Sequence, residues 1–80
     1  MATKQNVTIY TTPTCHFCHM AKEFFAEHKV SFTEHDVARD LEKRKEMIEK
    51  SGQMGVPVIT IGKDLIVGFD EGRLRGLLAV

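Results

Sequence analysis

The sequence has no excess of charge of either sign and no long apolar segment, and each absence excludes a class of function. Lys and Arg together number 11, as do Asp and Glu, so the formal net charge is zero at neutral pH. Nucleic-acid binding rests largely on neutralising phosphates with cations, so we expect no nucleic-acid partner. Apolar runs extend over only a few residues and are too short to span a bilayer, so we expect no membrane partner.

The chain is also short and contains few cysteines. Its 80 residues leave room for one hydrophobic core, so we predict a single domain over residues 1–80. The segment Met1–Asn6 lacks the apolar stretch of a signal peptide, and we therefore expect a cytoplasmic protein. The chain contains two cysteines, and their close spacing indicates a use other than a structural staple.

The first part of the chain is predicted to form a strand followed by a helix. Residues 7–11 alternate in polarity and are rich in β-branched side chains, which predicts a strand. Residues 15–28 place apolar side chains three and four positions apart, which predicts a helix with one buried face, and Thr14 is its plausible N-cap. The buried face is expected to contain Phe17, Cys18, Ala21, Phe24, Phe25 and His28.

A second strand and a second helix are predicted next. The strand is expected within residues 30–37, and Asp40 is expected to cap a helix that runs to about Ser51 and ends at Gly52. The narrow apolar face of this helix is expected to comprise Leu41, Met47 and Ile48. Two ion pairs at four-residue spacing are expected to support it, Asp40–Arg44 and Glu46–Lys50.

The last part of the chain is predicted to form a hairpin and a short helix. Residues 56–61 and 65–67 are predicted strands on either side of a turn at residues 62–64, and a helix is expected from about Asp70. Its inner face is expected to carry Leu74, Leu77 and Leu78. The order β-α-β-α-β-β-α predicts an α/β fold with a mixed four-stranded sheet, its first two strands parallel and helices on both faces.

Cys15 and Cys18 lie where the first predicted strand turns into the first helix. A helix amino terminus carries partial positive charge and free N–H groups, which stabilise a thiolate. Cys15 is therefore the predicted nucleophile. Cys18 lies one turn further along, near enough to close a disulfide, and is the predicted resolving thiol and the less exposed sulfur.

Two neighbours of the cysteine pair could tune it electrostatically. As a cation His16 would favour the Cys15 thiolate, and as a neutral exposed ring it would do little, so both roles stay open. Lys22 falls on the same helix face and would either add positive potential or simply face solvent. The other histidines are expected to be surface or packing residues, and they are His19, His28 and His35.

Other uses of two cysteines fit the sequence less well. A structural disulfide across so small a loop would constrain the unfolded chain little. A zinc site normally has four ligands, so we expect no metal. Residues 15–19, CHFCH, match the c-type haem attachment pattern, with Met47 or Met54 as an axial ligand. A haem electron carrier is therefore the non-enzyme alternative, although the predicted strands are untypical of the mostly helical small c-type cytochromes.

Several segments together resemble the glutaredoxin family, and the resemblance covers nearly the whole chain. They are residues 7–11 (VTIYT), 15–22 (CHFCHMAK), 55–58 (GVPV) and 68–70 (GFD). The resemblance implies a thioredoxin-like fold. It also implies a dithiol–disulfide oxidoreductase that uses Cys15 and Cys18 to reduce protein or low-molecular-weight disulfides, with no cofactor and with glutathione as a possible co-substrate.

The resemblance also implies where a substrate binds. Pro57 is expected to be cis and to pack opposite the cysteines, and the backbone of Val56 is expected to pair with the substrate in strand fashion. Phe69, as an exposed aromatic, and Asp70 would border the same groove, where Asp70 would bind the ammonium group of glutathione, cap the last helix, or do both. The full set of expected substrate-binding residues is His16, Phe17, Val56, Pro57, Phe69 and Asp70.

Two electron sources occur in the resembled family, and the sequence departs from the pattern of one of them. Some members bind glutathione, whereas NrdH-type redoxins accept electrons from thioredoxin reductase and pass them to ribonucleotide reductase. This chain departs from the glutathione-dependent pattern at His16, Phe17, Thr12–Pro13 and Met54–Gly55, where a proline, a tyrosine, a lysine, and a basic residue with a threonine are usual.

The loss of fixed cations weakens recognition of the glutathione carboxylates, so the sequence leans away from tight glutathione binding and leaves the NrdH type as the alternative. We expect a monomer that acts on disulfide-containing proteins and is recharged by glutathione or by thioredoxin reductase.

Overall fold

The computed structural model describes residues 6–79, and it contains every predicted helix and strand. The strands are β1 (Val7–Thr11), β2 (Thr33–Asp36), β3 (Val58–Ile61) and β4 (Asp64–Val67). The helices are α1 (His16–Glu27), α2 (Leu41–Ser51) and α3 (Glu71–Leu78). The predicted order is confirmed. The expectation of no signal peptide rests almost wholly on residues outside the described range.

One sheet contains all the described strands, in the order β2-β1-β3-β4. β1 is parallel to β2, as a connection through α1 requires, and β3 is antiparallel to both β1 and β4. The hairpin turn is one residue tighter than predicted, because Asp64 already pairs with Ile61. Gly62 enters this turn with a φ of 58°, a conformation that glycine adopts without a Cβ clash.

Two predicted strands begin later than expected. Residues 30–32 precede β2 instead of belonging to it, because Lys29 turns left-handed with a φ of 56° and Val30 N–H closes the end of α1 on Phe25 O at 2.8 Å. β3 begins at Val58, and the preceding Pro57 has no N–H to donate to the ladder.

Alternation along the strands divides the core between the two faces of the sheet. One face of the sheet packs against α1 and α3. The core between this face and the two helices consists of Val7, Ile9, Ala21, Phe24, Phe25, Ile59, Ile61, Ile66, Leu74 and Leu78. The other face packs against α2, and its buried side chains are Tyr10, Val37, Met47 and Val58. Helices therefore lie on both faces, as predicted. None of the helices within residues 6–79 has the length and hydropathy needed to span a membrane.

The predicted ends of α2 are confirmed, but part of its surface differs from the prediction. Asp40 accepts the Lys43 N–H at 3.1 Å, and Gly52 closes the helix with a φ of 72°. Leu41 is 65% exposed, so its predicted place in the apolar face is wrong. At about 100° per residue Leu41 lies roughly 120° around the helix from the buried Met47, which turns it away from the sheet.

Neither predicted ion pair of α2 is present among the described residues. The Asp40 carboxylate is occupied by the cap, and Glu46 instead pairs with Lys43 at 3.5 Å. The second oxygen of Glu46 accepts a hydrogen bond from the hydroxyl of Tyr10 at 2.5 Å. The four-residue spacing did not predict the partners of Glu46, because Tyr10, which is 36 positions away in the chain, competes for the same carboxylate.

The Tyr10–Glu46 hydrogen bond ties β1 to α2. Tyr10 is almost fully buried, and its burial, followed by its bond to Glu46, raises the pKa of the phenol. The same hydrogen bond is the main reason that the pKa of Glu46 lies below its ordinary value. The ionised carboxylate is therefore the form that the folded protein favours.

Replacing Tyr10 by Phe is expected to lower the free energy of unfolding by about 1–2 kcal/mol, because it removes a hydrogen bond to a charged acceptor. Urea denaturation at neutral pH measures the loss. Since the pKa of Glu46 is lowered by folding, this contribution is present above the ordinary carboxyl pKa and disappears as the pH falls through the lowered one.

Glu46→Gln is the matched control, because it keeps an acceptor but removes the titrating group. In that background the effect of Tyr10→Phe should not vary between neutral and acid pH. If Tyr10→Phe lowered the free energy of unfolding of the wild-type protein equally at neutral and acid pH, the hydrogen bond from Tyr10 to an ionised Glu46 would be contradicted.

Candidate active site

Three loops meet at one end of the sheet because of the strand directions. β3 is antiparallel to β1, so it begins where β1 ends, with Val58 beside Tyr10. β4 runs back beside β3 and ends at the same place, with Val67 beside Val58. Gly68 N–H then donates to Pro57 O at 2.8 Å. The register therefore brings together the turn after β1, the loop before β3 and the loop after β4.

Cys15 is the N-cap of α1, and the predicted cap at Thr14 is wrong. Cys15 has the extended backbone of a capping residue, and its Sγ accepts the backbone N–H of Cys18 at 3.2 Å. The helix begins one residue later than the Thr14 cap required, because Cys15 N–H still bonds back to Thr12 O at 3.3 Å. The half-buried sulfur thus takes up one free N–H of the first helical turn.

Cys18 lies fully buried one turn further along α1, so the prediction that it is the less exposed sulfur is confirmed. Both cysteines are free thiols. Burial, together with the hydrogen bond to Cys15, raises the pKa of the Cys18 thiol to about 12, against smaller opposing effects of Thr12 and Lys22. Cys18 is therefore a neutral thiol at neutral pH, while the Cys15 sulfur is accessible from solvent.

Lys22 belongs to a polar cluster that the sequence did not reveal. Its Nζ lies 3.0 Å from Glu34 Oε2 on β2, and the hydroxyl of buried Thr11 donates to the same oxygen at 2.7 Å. The hydrogen bond from Thr11 and the contact with Lys22 lower the pKa of Glu34 despite its partial burial. Lys22 thus neither points freely into solvent nor bonds the cysteines, and it acts on Cys18 only through its charge.

The aromatic side chains beside the cysteines are placed differently from the prediction. Phe17 is 56% exposed, so its assignment to the buried face of α1 is wrong. Helical spacing gives the direction of a side chain but not how far along the helix the core extends, and Phe17 lies in the first turn. His16 is exposed beside it, with ring centroids 5.6 Å apart.

The other histidines are surface or packing residues, as predicted. His19 is exposed, with Nε2 3.3 Å from Pro13 O. His28 packs on Phe24 with centroids 4.4 Å apart, and His35 lies beside Tyr10.

The loops opposite the motif carry the remaining predicted site residues. The Val56–Pro57 bond is cis, as the resemblance implied, with Pro57 fully buried and Val56 partly exposed. Phe69 is half-buried rather than exposed, because its ring packs edge-on against Phe24 with centroids 6.1 Å apart. Asp70 caps α3, accepting the Arg73 N–H at 3.2 Å.

The three segments that meet at this end of the sheet lack Lys and Arg, although Lys22 of α1 acts on Cys18 through its charge. Residues 12–20, 52–58 and 66–72 contain no Lys or Arg. Phe17 and Met54 expose 56% and 60% of their surface in these segments. Within residues 6–79 no cluster of three or more His, Cys, Asp and Glu side chains is arranged to hold a metal ion. These segments therefore offer a ligand apolar side chains and backbone groups but no Lys or Arg side chain.

Comparison with known proteins gives consistent matches over most of the chain. Residues 7–66 match the family model described as glutaredoxin. Glutaredoxin 3 of Escherichia coli K12 is 44% identical over 66 residues, which cover 82% of this chain and 80% of that protein. An uncharacterized glutaredoxin-like 8.6 kDa protein of the rubredoxin operon of Clostridium pasteurianum is 40% identical over 72 residues, 90% of this chain and 96% of that protein.

A solved structure extends these matches to three dimensions. The glutaredoxin-like NrdH-redoxin of Escherichia coli, described as having a thioredoxin-like activity profile, superposes with a TM-score of 0.80 at 28% identity. The match covers 90% of this chain and 93% of that chain.

The unequal burial of the cysteines predicts unequal alkylation. At about pH 8, Cys15 in a Cys18→Ser variant should react with iodoacetamide roughly 100-fold or more faster than Cys18 in a Cys15→Ser variant, because only the thiolate reacts. Quenched mass spectrometry measures both rates. Unfolding each variant in urea is the control, since it should make the rates similar. Similar rates in the folded variants would show that Cys18 is not shielded.

Proposed function

This chain belongs to the glutaredoxin family of thiol–disulfide oxidoreductases and has the thioredoxin-like fold, and we propose that it reduces disulfides of other proteins through Cys15 and Cys18. The observation that carries the proposal is the contrast between the two sulfurs. Cys15 Sγ is accessible and accepts an N–H of the helix amino terminus at 3.2 Å, while Cys18 is buried as a neutral thiol. The first sulfur suits attack and the second suits resolution.

The first step forms a mixed disulfide. The Cys15 thiolate attacks one sulfur of the substrate disulfide, the substrate S–S bond breaks, and the other substrate sulfur leaves as a thiolate that takes up a proton. The Cys18 N–H that bonds Cys15 Sγ at 3.2 Å stabilises the attacking anion before reaction. The raised pKa of Cys18 keeps the second thiol from competing as nucleophile.

The second step releases the reduced substrate. Cys18 loses its proton and attacks Cys15 Sγ, the mixed disulfide breaks, and the second substrate sulfur leaves as a thiolate that can accept that proton. The enzyme is left with a Cys15–Cys18 disulfide, and two electrons have passed to the substrate. A reductant then returns two electrons to the pair. No cofactor is needed for either step.

Substrate binding is proposed to use backbone and apolar contacts. Val56 precedes the buried Pro57 in the loop before β3, at the end of the sheet where β1 enters the cysteine turn, and we infer that its backbone pairs with an extended peptide. The exposed Phe17 and Met54 offer apolar contacts beside it. His16 and Phe69 border the same region, and Asp70 keeps its cap role whether or not it also contacts a ligand.

We further propose that thioredoxin reductase, rather than glutathione, recharges the pair. The supporting observation is the lack of Lys and Arg in residues 12–20, 52–58 and 66–72, which leaves the two glutathione carboxylates without a fixed cation. The similarity to the NrdH-redoxin, described as thioredoxin-like in activity, agrees with this choice. A dithiol that is reduced by thioredoxin reductase acts in a compartment where thiols are kept reduced. We therefore propose that the protein works in the cytoplasm.

The haem alternative is disfavoured by the fold and the family. The CHFCH segment follows a strand of a mixed sheet, and the chain belongs to a family of oxidoreductases. We expect the visible spectrum of the purified protein to lack a strong haem band, and a strong band would favour the haem alternative.

Replacing Cys15 by Ser is expected to abolish reduction of protein disulfides, because the attacking sulfur is lost. Replacing Cys18 by Ser should instead leave the mixed disulfide unresolved, so Cys15 remains joined to substrate. Mass spectrometry of each variant after mixing with oxidised insulin detects the adduct. Full activity of Cys15→Ser, or an adduct formed through Cys18, would overturn the assigned roles.

Turnover with NADPH and thioredoxin reductase is expected to exceed turnover with glutathione and glutathione reductase in a coupled assay. A Thr12→Lys variant should raise the glutathione-dependent rate about 3–10-fold, because it supplies a cation beside the motif. Thr33→Lys adds the same charge at the far end of the sheet and serves as the matched control. Exclusive turnover of the wild type with glutathione would disprove the proposed reductant.

A further inference from the structure

The side chain of Gln53 forms a clamp around the backbone of Gly55. Gly55 N–H donates to Gln53 Oε1 at 2.5 Å, and Gln53 Nε2 donates to Gly55 O at 3.1 Å. The second N–H of the same amide reaches Ser51 Oγ at 3.2 Å. An acceptor oxygen and two donor protons are thereby all used, which fixes the orientation of the carboxamide.

Ser51 connects this clamp to the rigid part of the fold. It is the last residue of α2, and its Oγ lies 2.7 Å from the backbone oxygen of Met47, a buried core residue. Gln53 N–H also approaches Ser51 Oγ at 3.4 Å. Ser51 Oγ further donates to the backbone oxygen of Gln53 at 2.9 Å, so Ser51 holds both the backbone and the side chain of Gln53, and the side chain carries this connection on to Gly55.

The clamp provides hydrogen-bond partners for the backbone N–H and C=O of Gly55 but not for those of Val56. Among residues 6–79 the backbone N–H and C=O of Val56 have no hydrogen-bond partner, whereas Pro57 O accepts Gly68 N–H at 2.8 Å. The polar groups on both sides of Val56 are therefore occupied within the protein. Val56 is the position at which an extended substrate would find an unused donor and acceptor.

The glycine at position 55 is explained by the same contact. A Cβ added there would come within 2.6 Å of Gln53 Oε1 and 3.7 Å of Gln53 Cδ, and it would meet no other heavy atom within 4 Å. Gly55 does not have a positive φ, so the backbone itself accepts an L-residue. An alanine at this position would therefore act by displacing the Gln53 side chain and by little else.

We propose that Gln53 is a positioning residue that holds the loop at residues 54–56 in the shape that pairs with a substrate peptide, and so sets the affinity for protein disulfides. The inference rests on the proposed function, because it assumes that a peptide binds at Val56. Gln53 touches neither cysteine in the hydrogen-bond network, so its effect is on binding rather than on the sulfur chemistry.

A single-turnover experiment tests this without any reductase. The protein is first reduced with dithiothreitol and desalted, then mixed with increasing concentrations of insulin, and the Cys15–Cys18 disulfide is followed by acid quench and mass spectrometry. Gln53→Ala should raise the half-saturating insulin concentration about 3–10-fold and leave the limiting rate within about 2-fold, because ordering of the loop is lost before chemistry. Lys63→Ala, in the turn at the opposite end of the sheet, is the matched control and should change neither value.

A double-mutant cycle makes the test specific to the clamp. Gly55→Ala alone should raise the half-saturating concentration as much as Gln53→Ala does, and the double variant should match the single variants, since both remove one interaction. Gln53→Glu keeps the acceptor for Gly55 N–H but turns a carboxylate oxygen toward Gly55 O, so it should also weaken binding.

Two results would overturn the inference. One is a half-saturating concentration that stays unchanged in Gln53→Ala, and the other is a double variant whose effect is the product of the two single effects. Failure of the reduced wild-type protein to be oxidised by insulin would instead refute the proposed function, and with it this inference. Urea denaturation of each variant shows that a changed concentration does not reflect unfolding.

Discussion

The burial of Cys18 beneath the first turn of α1 is the constraint on which the rest of the site depends. Desolvation keeps this thiol neutral, with its pKa raised to about 12, while Cys15 keeps its sulfur at the surface within 3.2 Å of the Cys18 N–H. Two identical side chains on one helical turn thereby differ in chemistry. The roles proposed for the two cysteines rest on this difference in burial.

The end of β1 fixes both of the helices that surround the site. Tyr10 and Thr11 are consecutive, so their side chains point to opposite faces of the sheet. Tyr10 bonds Glu46 of α2 on one face, and Thr11 bonds Glu34, which in turn holds Lys22 of α1, on the other. The chain is therefore anchored on both sides immediately before it enters the cysteine turn. This anchoring explains how a small domain can hold a reactive sulfur in one place.

The surface around Cys15 combines exposed apolar side chains with loop backbone, and the proposed choice of partner rests on this combination. Its segments lack Lys and Arg, and Phe17 and Met54 are its exposed apolar side chains. The clamp of Gln53 on Gly55 occupies the loop backbone next to Val56 and leaves Val56 itself unbonded among the described residues.

The sequence by itself determined the order of the elements, the caps at Asp40 and Gly52, and the cysteine pair at a strand-to-helix turn. These features depend on residues that are close in the chain, and alternation, helical spacing and turn residues report on such local preferences. The same local patterns misplaced Phe17, because periodicity does not say how far along a helix the core extends. They also misplaced Leu41, which lies roughly 120° around α2 from Met47, and the cap of α1, where Cys15 N–H still bonds Thr12 O.

Only the tertiary structure decided which polar groups meet. Glu46 bonds Tyr10 across 36 residues, and Lys22 meets Glu34 on a different element. No local pattern carries information about such pairs, since each depends on the register of the sheet and on the packing of a helix against it. The Gln53 clamp is short-range, yet it joins a side chain to the backbone of a loop glycine, and neither helical nor strand periodicity reports such a contact. Its role follows from where the fold places Val56.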